Sequence, residues 1–188
     1  MIFRELSLSG AYLIEIERQT DARGFFARTW CQREFGEQNL ETEYVQASIS
    51  VNPASGTLRG LHFQCPPYGE VKIVQCVRGA IYDIIVDLRP RSTTFRKWLG
   101  ITLSAESHNV LYVPAGFAHG FQTLENDTEV SYLISTFYVP AAARGIRYDD
   151  PALGITWPGD VTRISEKDRA LPGIDEVVAA LMATRGTL

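Results

Sequence analysis

The chain has 188 residues, of which 45% are hydrophobic and 21% charged, an ordinary globular composition with enough length for one compact domain and a sizeable core. A formal net charge of −4 argues against a general nucleic-acid binder, while leaving room for a local basic patch that takes a small anion. No apolar stretch approaches the ~20 residues of a membrane-spanning helix, and MIFRELSLSG at the start lacks the basic-then-apolar pattern of a signal peptide.

In chain order the dominant signal is β. AYLIEIE (Ala11–Glu17) and GFFARTW (Gly24–Trp30) read as strands, CQREFGEQN as a short helix and turn, and EYVQASISV (Glu43–Val51) as an alternating strand that Pro53 and Gly56 break. TLRGLHFQ follows, then a loop forced by Pro66 and Pro67. VKIVQCV and AIYDIIVDL flank Arg78-Gly79 and predict a hairpin. KWLGITLS, NVLYVP, AHGFQTLE and EVSYLISTFYV come next at short spacing, a succession that predicts a sandwich or barrel. Near the end only IDEVVAALMATRG looks helical, with Ile174, Val177, Val178, Leu181 and Met182 at helix spacing; it should pack on the sheet surface. Cys31, Cys65 and Cys76 form no Cys-x-x-Cys pair, which suits reduced thiols in a cytoplasmic protein acting as small buried apolar side chains.

A closed antiparallel sheet offers a ligand one natural place, its interior mouth, so the polar residues that point inward matter most. Strand alternation puts Gly60, His62 and Gln64 on one face and Leu61 and Phe63 on the other. Arg59 falls opposite His62 unless Gly60 introduces an irregularity. Tyr132 and Tyr138 share a face of EVSYLISTFYV, roughly 20 Å apart on a straight strand, and could serve two ends of one long ligand or simply line a core or rim. VPAGFAHGF places His119 after a Pro-x-Gly turn, which resembles the second half of the cupin pattern. Metal-binding cupins carry His-x-His in the first half; here LHFQ offers one imidazole and then Gln64. His62 and His119 fall short of the three or four ligands a metal needs, so no metal site is expected, and His108 reads as an ordinary loop residue. An imidazole without a metal suits acid–base work near neutral pH. A tyrosine on a facing strand can be the matching acid, and a lysine such as Lys72 can stabilise an enolate oxygen. Such parts fit proton abstraction next to a carbonyl.

DARGFF (Asp21–Phe26), RGLHFQ (Arg59–Gln64), PPYGEVKIVQCVRGAIYD (Pro66–Asp83), PAGFAHGF (Pro114–Phe121), DDPALGITWP (Asp149–Pro158) and SEKD (Ser165–Asp168) stand in order along the chain. With these motifs the sequence resembles the dTDP-4-dehydrorhamnose 3,5-epimerase family, metal-free cupins of deoxysugar biosynthesis, from about Phe3 to about Pro172. The resemblance implies a mainly β fold: one cupin-type double-stranded β-helix, or jelly-roll, domain over residues 1–188, with a short C-terminal helical segment. It implies a cytoplasmic homodimer whose N-terminal segments pair across the interface, acting without nicotinamide, metal or other cofactor on a nucleoside-diphosphate 4-keto-6-deoxyhexose. The general base maps onto His62, its aspartate onto Asp168, the proton donor onto Tyr132 and the lysine near the sugar C4 oxygen onto Lys72. Tyr138 maps onto the tyrosine that stacks on the nucleotide base. Arg23, Gln46, Arg59, His119 and Lys167 match positions that contact the sugar nucleotide, and Asp83 takes a buried hydrogen-bonding role.

Three positions depart from the family pattern. Arg28 stands where an acid is usual, Ala143 where a glutamate is usual, and Gln46-Ala47-Ser48-Ile49-Ser50 replaces Gln-x-Asn-x-Ser. Losing two acids should make the groove more positive and is compatible with a different sugar nucleotide or inversion at a single carbon. Other readings are a 3,4-ketoisomerase, a non-catalytic sugar-nucleotide-binding cupin and a metal-dependent cupin oxygenase; the set His62, Tyr132 and Asp168 favours epimerisation.

Overall fold

The structure is a computed structural model, described over residues 1–185. In chain order its elements are β1 (Ile2–Glu5), β2 (Tyr12–Glu15), β3 (Gln19–Asp21), β4 (Gly24–Phe26), α1 (Gln32–Glu37), β5 (Gln46–Asn52), β6 (Leu58–Gln64), β7 (Lys72–Arg78) and β8 (Ala80–Asp87). Then come β9 (Trp98–Ser104), β10 (Val110–Val113), β11 (Phe117–Thr123), β12 (Thr128–Ile134), β13 (Ala143–Gly145), α2 (Glu166–Arg169) and α3 (Ile174–Arg185). A six-stranded sheet in the order β1-β2-β10-β7-β12-β5 faces a five-stranded sheet in the order β13-β6-β11-β8-β9, and β3 and β4 form a small ribbon of their own. The result is the jelly-roll arrangement expected from the succession of short strands.

Period-two alternation explains how the two sheets meet. Val74 and Cys76 of β7, Leu111 and Val113 of β10 and Val130 of β12 point across to Ile81 and Ile85 of β8, Leu103 of β9, and Phe117 and Phe121 of β11. The outer face of the five-stranded sheet buries Leu61, Phe63, Ile84 and Val86 against Ile174, Val177 and Val178 of α3, so the C-terminal helix does pack on the sheet. Met182 is an exception: it is half exposed, at the solvent edge of the helix. Gly186, which ends that sequence motif, lies outside the described residues. The outer face of the other sheet buries Ile14, Ile73 and Val110 around Phe35 of α1.

Several sequence expectations change. β7 and β8 do not form a hairpin. β7 pairs with β10 and β12, whereas β8 pairs with β11 and β9. The single residue between them, Gly79, has φ +73° and carries the chain from one sheet to the other, where a Cβ would sit 2.6 Å from Thr128 Oγ1. The strand read over Gly24–Trp30 stops at Phe26, because it pairs only with the short β3. Strands β1 and β13 and the single turn of α2 lacked a hydrophobic period long enough to read. Of the cysteines only Cys76 is fully buried, and burial raises its thiol to about 11; Cys31 and Cys65 are half-buried free thiols.

Asp87, at the end of β8, ties down the loop that follows. Its buried carboxylate accepts from Arg89 Nε (2.8 Å), Ser92 Oγ (2.5 Å) and Thr94 Oγ1 (2.7 Å), and the Arg89 guanidinium lies over the Phe117 ring. Burial opposes ionisation, but these bonds outweigh it and hold the carboxyl below the usual aspartate range. A depressed folded-state value means the stabilisation is complete above the unfolded-state value of about 3.9 and is lost as pH falls through the folded one. Urea titrations should therefore show stability dropping below about pH 4. Asp87→Asn should flatten that limb and cost roughly 2–3 kcal/mol at neutral pH, below the usual cost of a broken buried pair because Arg89 keeps access to water. An unchanged acid limb in the variant would remove Asp87 as its source.

Candidate active site

The site starts on β6. Leu61 and Phe63 turn outward beneath α3, so His62 faces the space between the sheets, its side chain 44% exposed. The ladder between β6 and β11 pairs His62 with His119 and Arg59 with Phe121, which sets Gly60 and Leu61 against Gly120 alone. This β-bulge shifts the alternation by one residue, so the strict-period expectation that Arg59 lies opposite His62 does not hold. Arg59 shares the inner side, where its Nε donates to Asn52 Oδ1 of β5 at 2.7 Å. Gly60 allows the bulge, with φ +120° and its backbone against that of Gly120.

Behind the imidazole stands Asp168 of α2. Ser165 caps this turn by accepting from the Asp168 N–H at 3.0 Å. The Asp168 carboxylate accepts from the Gly60 N–H through Oδ2 (3.2 Å) and lies 2.7 Å from His62 Nε2 through Oδ1. An ionised carboxylate only accepts, so Nε2 carries the proton and Nδ1 keeps the basic lone pair. Burial disfavours the Asp168 anion, but the bond to His62 and the backbone donor outweigh it and hold its carboxyl below the usual range. The anion is thus in place to stabilise an imidazolium once the ring gains a proton.

Alternation also brings polar groups inward among the core residues of four further strands. Lys72 shares its face with Val74, Asp83 with Ile81 and Ile85, His119 with Phe117 and Phe121, and Tyr132 with Val130. Lys72 is almost buried; its Nζ pairs with Glu70 at 2.9 Å and reaches the His62 carbonyl at 3.5 Å. His119 Nε2 lies 2.9 Å from Asp83 Oδ2, both buried, the hydrogen-bonding place expected of Asp83. The His119 and Tyr132 rings meet edge to face, with centroids 6.2 Å apart. Burial, then the negative charge of Asp83, push the Tyr132 phenol well above its ordinary range, which keeps it a proton-bearing group at neutral pH.

Other candidates sit further out. Tyr138 is not on a strand, contrary to the reading of EVSYLISTFYV as one element. β12 ends at Ile134 because side-chain bonds replace the strand ladder beyond it: Ser135 Oγ accepts from Val71 N, Thr136 Oγ1 donates to the Gly69 carbonyl, and Gln64 binds both Phe137 O and Val139 N. Tyr138 is 57% exposed on this loop, and Gln46 Oε1 accepts its N–H at 2.8 Å. Lys167 is exposed on α2 beside Asp168. Arg23 does not join the cluster: it lies in the β3–β4 ribbon, 91% exposed, paired with Asp21. Arg28 does not carry a free charge toward the groove either, since its guanidinium pairs with Glu34 at 2.8 Å, which also takes the N-terminal amine. Ala143 lies on β13 opposite Gln64. Sequence reasoning missed Asn52 and Glu70, the partners of Arg59 and Lys72; Glu70 stands inside the matched stretch Pro66–Asp83, whereas no motif marks Asn52. Among the described residues no three His, Cys, Asp or Glu side chains gather as metal ligands, and no helix is long and apolar enough to cross a membrane.

Comparison with known proteins gives the family. The sequence profile of dTDP-4-dehydrorhamnose 3,5-epimerase matches residues 5–176. A protein of that name from Sinorhizobium fredii is 42% identical over 178 residues, spanning 94% of this chain and 91% of its own. The crystal structure of the Bacillus anthracis enzyme with TDP and pyrophosphate bound is 40% identical, covers 92% of this chain and 99% of its own, and superposes with a TM-score of 0.89. A 3′-monoepimerase from Streptomyces bikiniensis in complex with dTDP-quinovose is 32% identical with a TM-score of 0.84, over 95% of this chain and 89% of its own. The motifs on β6, β7 and β11, the two-sheet barrel and these matches over nearly the whole length agree: the chain belongs to the dTDP-4-dehydrorhamnose 3,5-epimerase family of cupin-fold sugar-nucleotide epimerases.

Proposed function

We propose that this epimerase inverts C5 and C3 of a nucleoside-diphosphate 4-keto-6-deoxyhexose, dTDP-4-dehydro-6-deoxyglucose, with His62 as base and Tyr132 as acid. The single observation that carries the roles is the His62–Asp168 pair, a half-exposed imidazole with a buried aspartate 2.7 Å behind it. The 4-keto group acidifies the hydrogens on C3 and C5. Nδ1 of His62 takes one, and the electron pair moves onto the carbonyl oxygen as an enolate. The Lys72 ammonium stabilises that oxygen, while Asp168 stabilises the imidazolium. Tyr132 then returns a proton from the opposite face and the centre is inverted. Once His62 has released its proton to solvent and Tyr132 has regained one, repeating the two transfers at the second carbon completes the change from the D-gluco to the L-rhamno configuration.

Arg59, His119 and Lys167 hold the sugar and its phosphates in this reading, and Tyr138 stacks on the base with Gln46 fixing its backbone. Arg23, exposed on the ribbon, serves the site of a second subunit in this reading, which makes the active form a homodimer; its place is the cytoplasm. The exposed Phe26 of the ribbon and the exposed Ile49 and Val51 of the edge strand β5 are the surfaces it would cover. A single-centre variant of the reaction is the second reading, favoured by the kinship with a 3′-monoepimerase.

The test is to incubate the protein with dTDP-4-dehydro-6-deoxyglucose in deuterated water and follow the C3 and C5 signals by proton NMR. Deuterium entry with inversion at both carbons is the expected result. Entry at one carbon alone selects the single-centre reaction. No exchange with thymidine, uridine or guanosine diphosphate sugars would leave only a binding protein.

A further inference from the structure

The inner half of the site holds a second imidazole–carboxylate pair, His119–Asp83, which the proton transfers assigned above do not use. Its placement is costly. Asp83 occupies a core position between Ile81 and Ile85 on the inner face of β8, only 1% exposed. Its Oδ1 accepts no hydrogen bond from a described residue. An aliphatic side chain there would pack with no desolvation cost, whereas a buried, half-satisfied carboxylate costs several kcal/mol by order of magnitude. What the carboxylate does accomplish is geometric. Its Oδ2 is 2.9 Å from His119 Nε2, which fixes the imidazole in the plane of that bond. The ring so held meets that of Tyr132 edge to face, with centroids 6.2 Å apart and planes at 76°. Tyr132 belongs to the opposite sheet, so the chain Asp83–His119–Tyr132 spans the interior and ends on the phenol.

We propose that Asp83 is a positioning residue for proton return: by holding His119 it fixes the aim of the Tyr132 phenol across the cavity from His62. This inference rests on the reading of His62 as base and Tyr132 as acid. It extends that reading by assigning the two His–Asp pairs different tasks. His62–Asp168 takes the proton from carbon, and His119–Asp83 governs whether a new one arrives on the other face. The titration directions agree with it: burial and then the Asp83 charge push the Tyr132 phenol up, while Arg59 of β6 opposes them. Burial holds Asp83 itself up against His119 of β11 and Lys72 of β7.

The chemistry separates the two steps. When Tyr132 is out of line, His62 still removes the hydrogen, its imidazolium exchanges with solvent, and the deuteron returns to the same face. Deuterium then enters with retention, and inversion lags behind exchange. The experiment uses Asp83→Asn with dTDP-4-dehydro-6-deoxyglucose in deuterated water, measuring deuterium entry at C5 and product formation in one sample. Exchange should stay within about threefold of the unaltered protein, inversion should fall roughly 10–100-fold, and KM should move less than about threefold, since proton transfer by a positioned side chain contributes about 10²–10⁴-fold. A structural defect would lower exchange and inversion by the same factor, and that result would overturn the proposal, as would an unchanged ratio. His119→Gln gives a second route. Its amide still donates to Asp83, so the buried carboxylate keeps a partner while the ring contact with Tyr132 is lost; affinity falls with the lost imidazole, and at saturating substrate the ratio of inversion to exchange should again drop about 10-fold or more. Absence of exchange in the unaltered protein would instead refute the epimerase reading on which this one stands.

Discussion

Replacing His62 by Gln should lower epimerisation by about 10³-fold, within the ~10²–10⁴ range for a positioned general base, or about 4 kcal/mol of barrier. The reasons are local. The glutamine amide overlays Nε2 and can still donate to Asp168 Oδ1, now 2.7 Å from Nε2, so the buried carboxylate keeps a donor and α2 stays in place. What is lost is the lone pair on Nδ1, and nothing nearby replaces it: Lys72 is engaged with Glu70 and His119 with Asp83. KM should change little, because the base touches the hydrogen being removed rather than the nucleotide. Solvent exchange at C3 and C5 should disappear together with turnover, since both need the proton to leave carbon. Deuterium entry at the original rate in His62→Gln would assign the abstraction to another group. Stability should stay close to that of the unaltered protein, since the side chain is half exposed.

The largest expected effect on stability belongs to Gly60→Ala. The Gly60 φ of +120° is one that L side chains rarely adopt, and a Cβ there would lie 2.5 Å from Gly120 Cα and 2.8 Å from the His119 carbonyl oxygen. Both are backbone atoms of the neighbouring strand and cannot swing aside as a flexible side chain would. Forced overpacking costs about 1–3 kcal/mol and a backbone held in a disfavoured region about 1–3 kcal/mol. Together they suggest a loss of roughly 4 kcal/mol, a large part of a typical ~5–15 kcal/mol total. Urea denaturation would read this as a lower midpoint. Gly159→Ala is the matched control: it has ordinary backbone geometry and nothing within 4 Å, so it should leave stability unchanged or raise it slightly. Equal midpoints for the two variants would mean that β6 and β11 do not approach as closely as described. Because the same bulge brings Arg59 to the His62 side, any folded Gly60→Ala protein should also lose substrate affinity.

Much of the site was legible before any coordinates. Alternation along VKIVQCV, AIYDIIVDL, AHGFQTLE and EVSYLIST already places Lys72, Asp83, His119 and Tyr132 on the same faces as Val74, Ile81, Phe121 and Val130. Those are the residues that become the inner core. Alternation is a property of a single strand, fixed by the pleat, so it survives whatever the strand pairs with. The pairing itself is not local. Nothing in VKIVQCVRGAIYDIIVDL tells whether Gly79 turns a hairpin or passes the chain to another sheet, since both need a glycine at positive φ. The bulge at Gly60 was visible only as a possibility, because it exists through its partner, Gly120.

The sequence alone therefore determined most of the core strands, the alternation of side chains along them, most of the packing stripe of the C-terminal helix and, through ordered motifs, the family. Only the tertiary structure decided that β7 and β8 sit in opposite sheets, that Arg59 shares a side with His62, that Tyr138 leaves its strand and that Arg28 is neutralised by Glu34. It also decided that Asp83 and His119 form a second buried pair leading to Tyr132. The division has one physical cause. Side-chain direction follows from the backbone period of a few consecutive residues, whereas strand neighbours and ion-pair partners are chosen across gaps of tens of residues by which surfaces exclude water together.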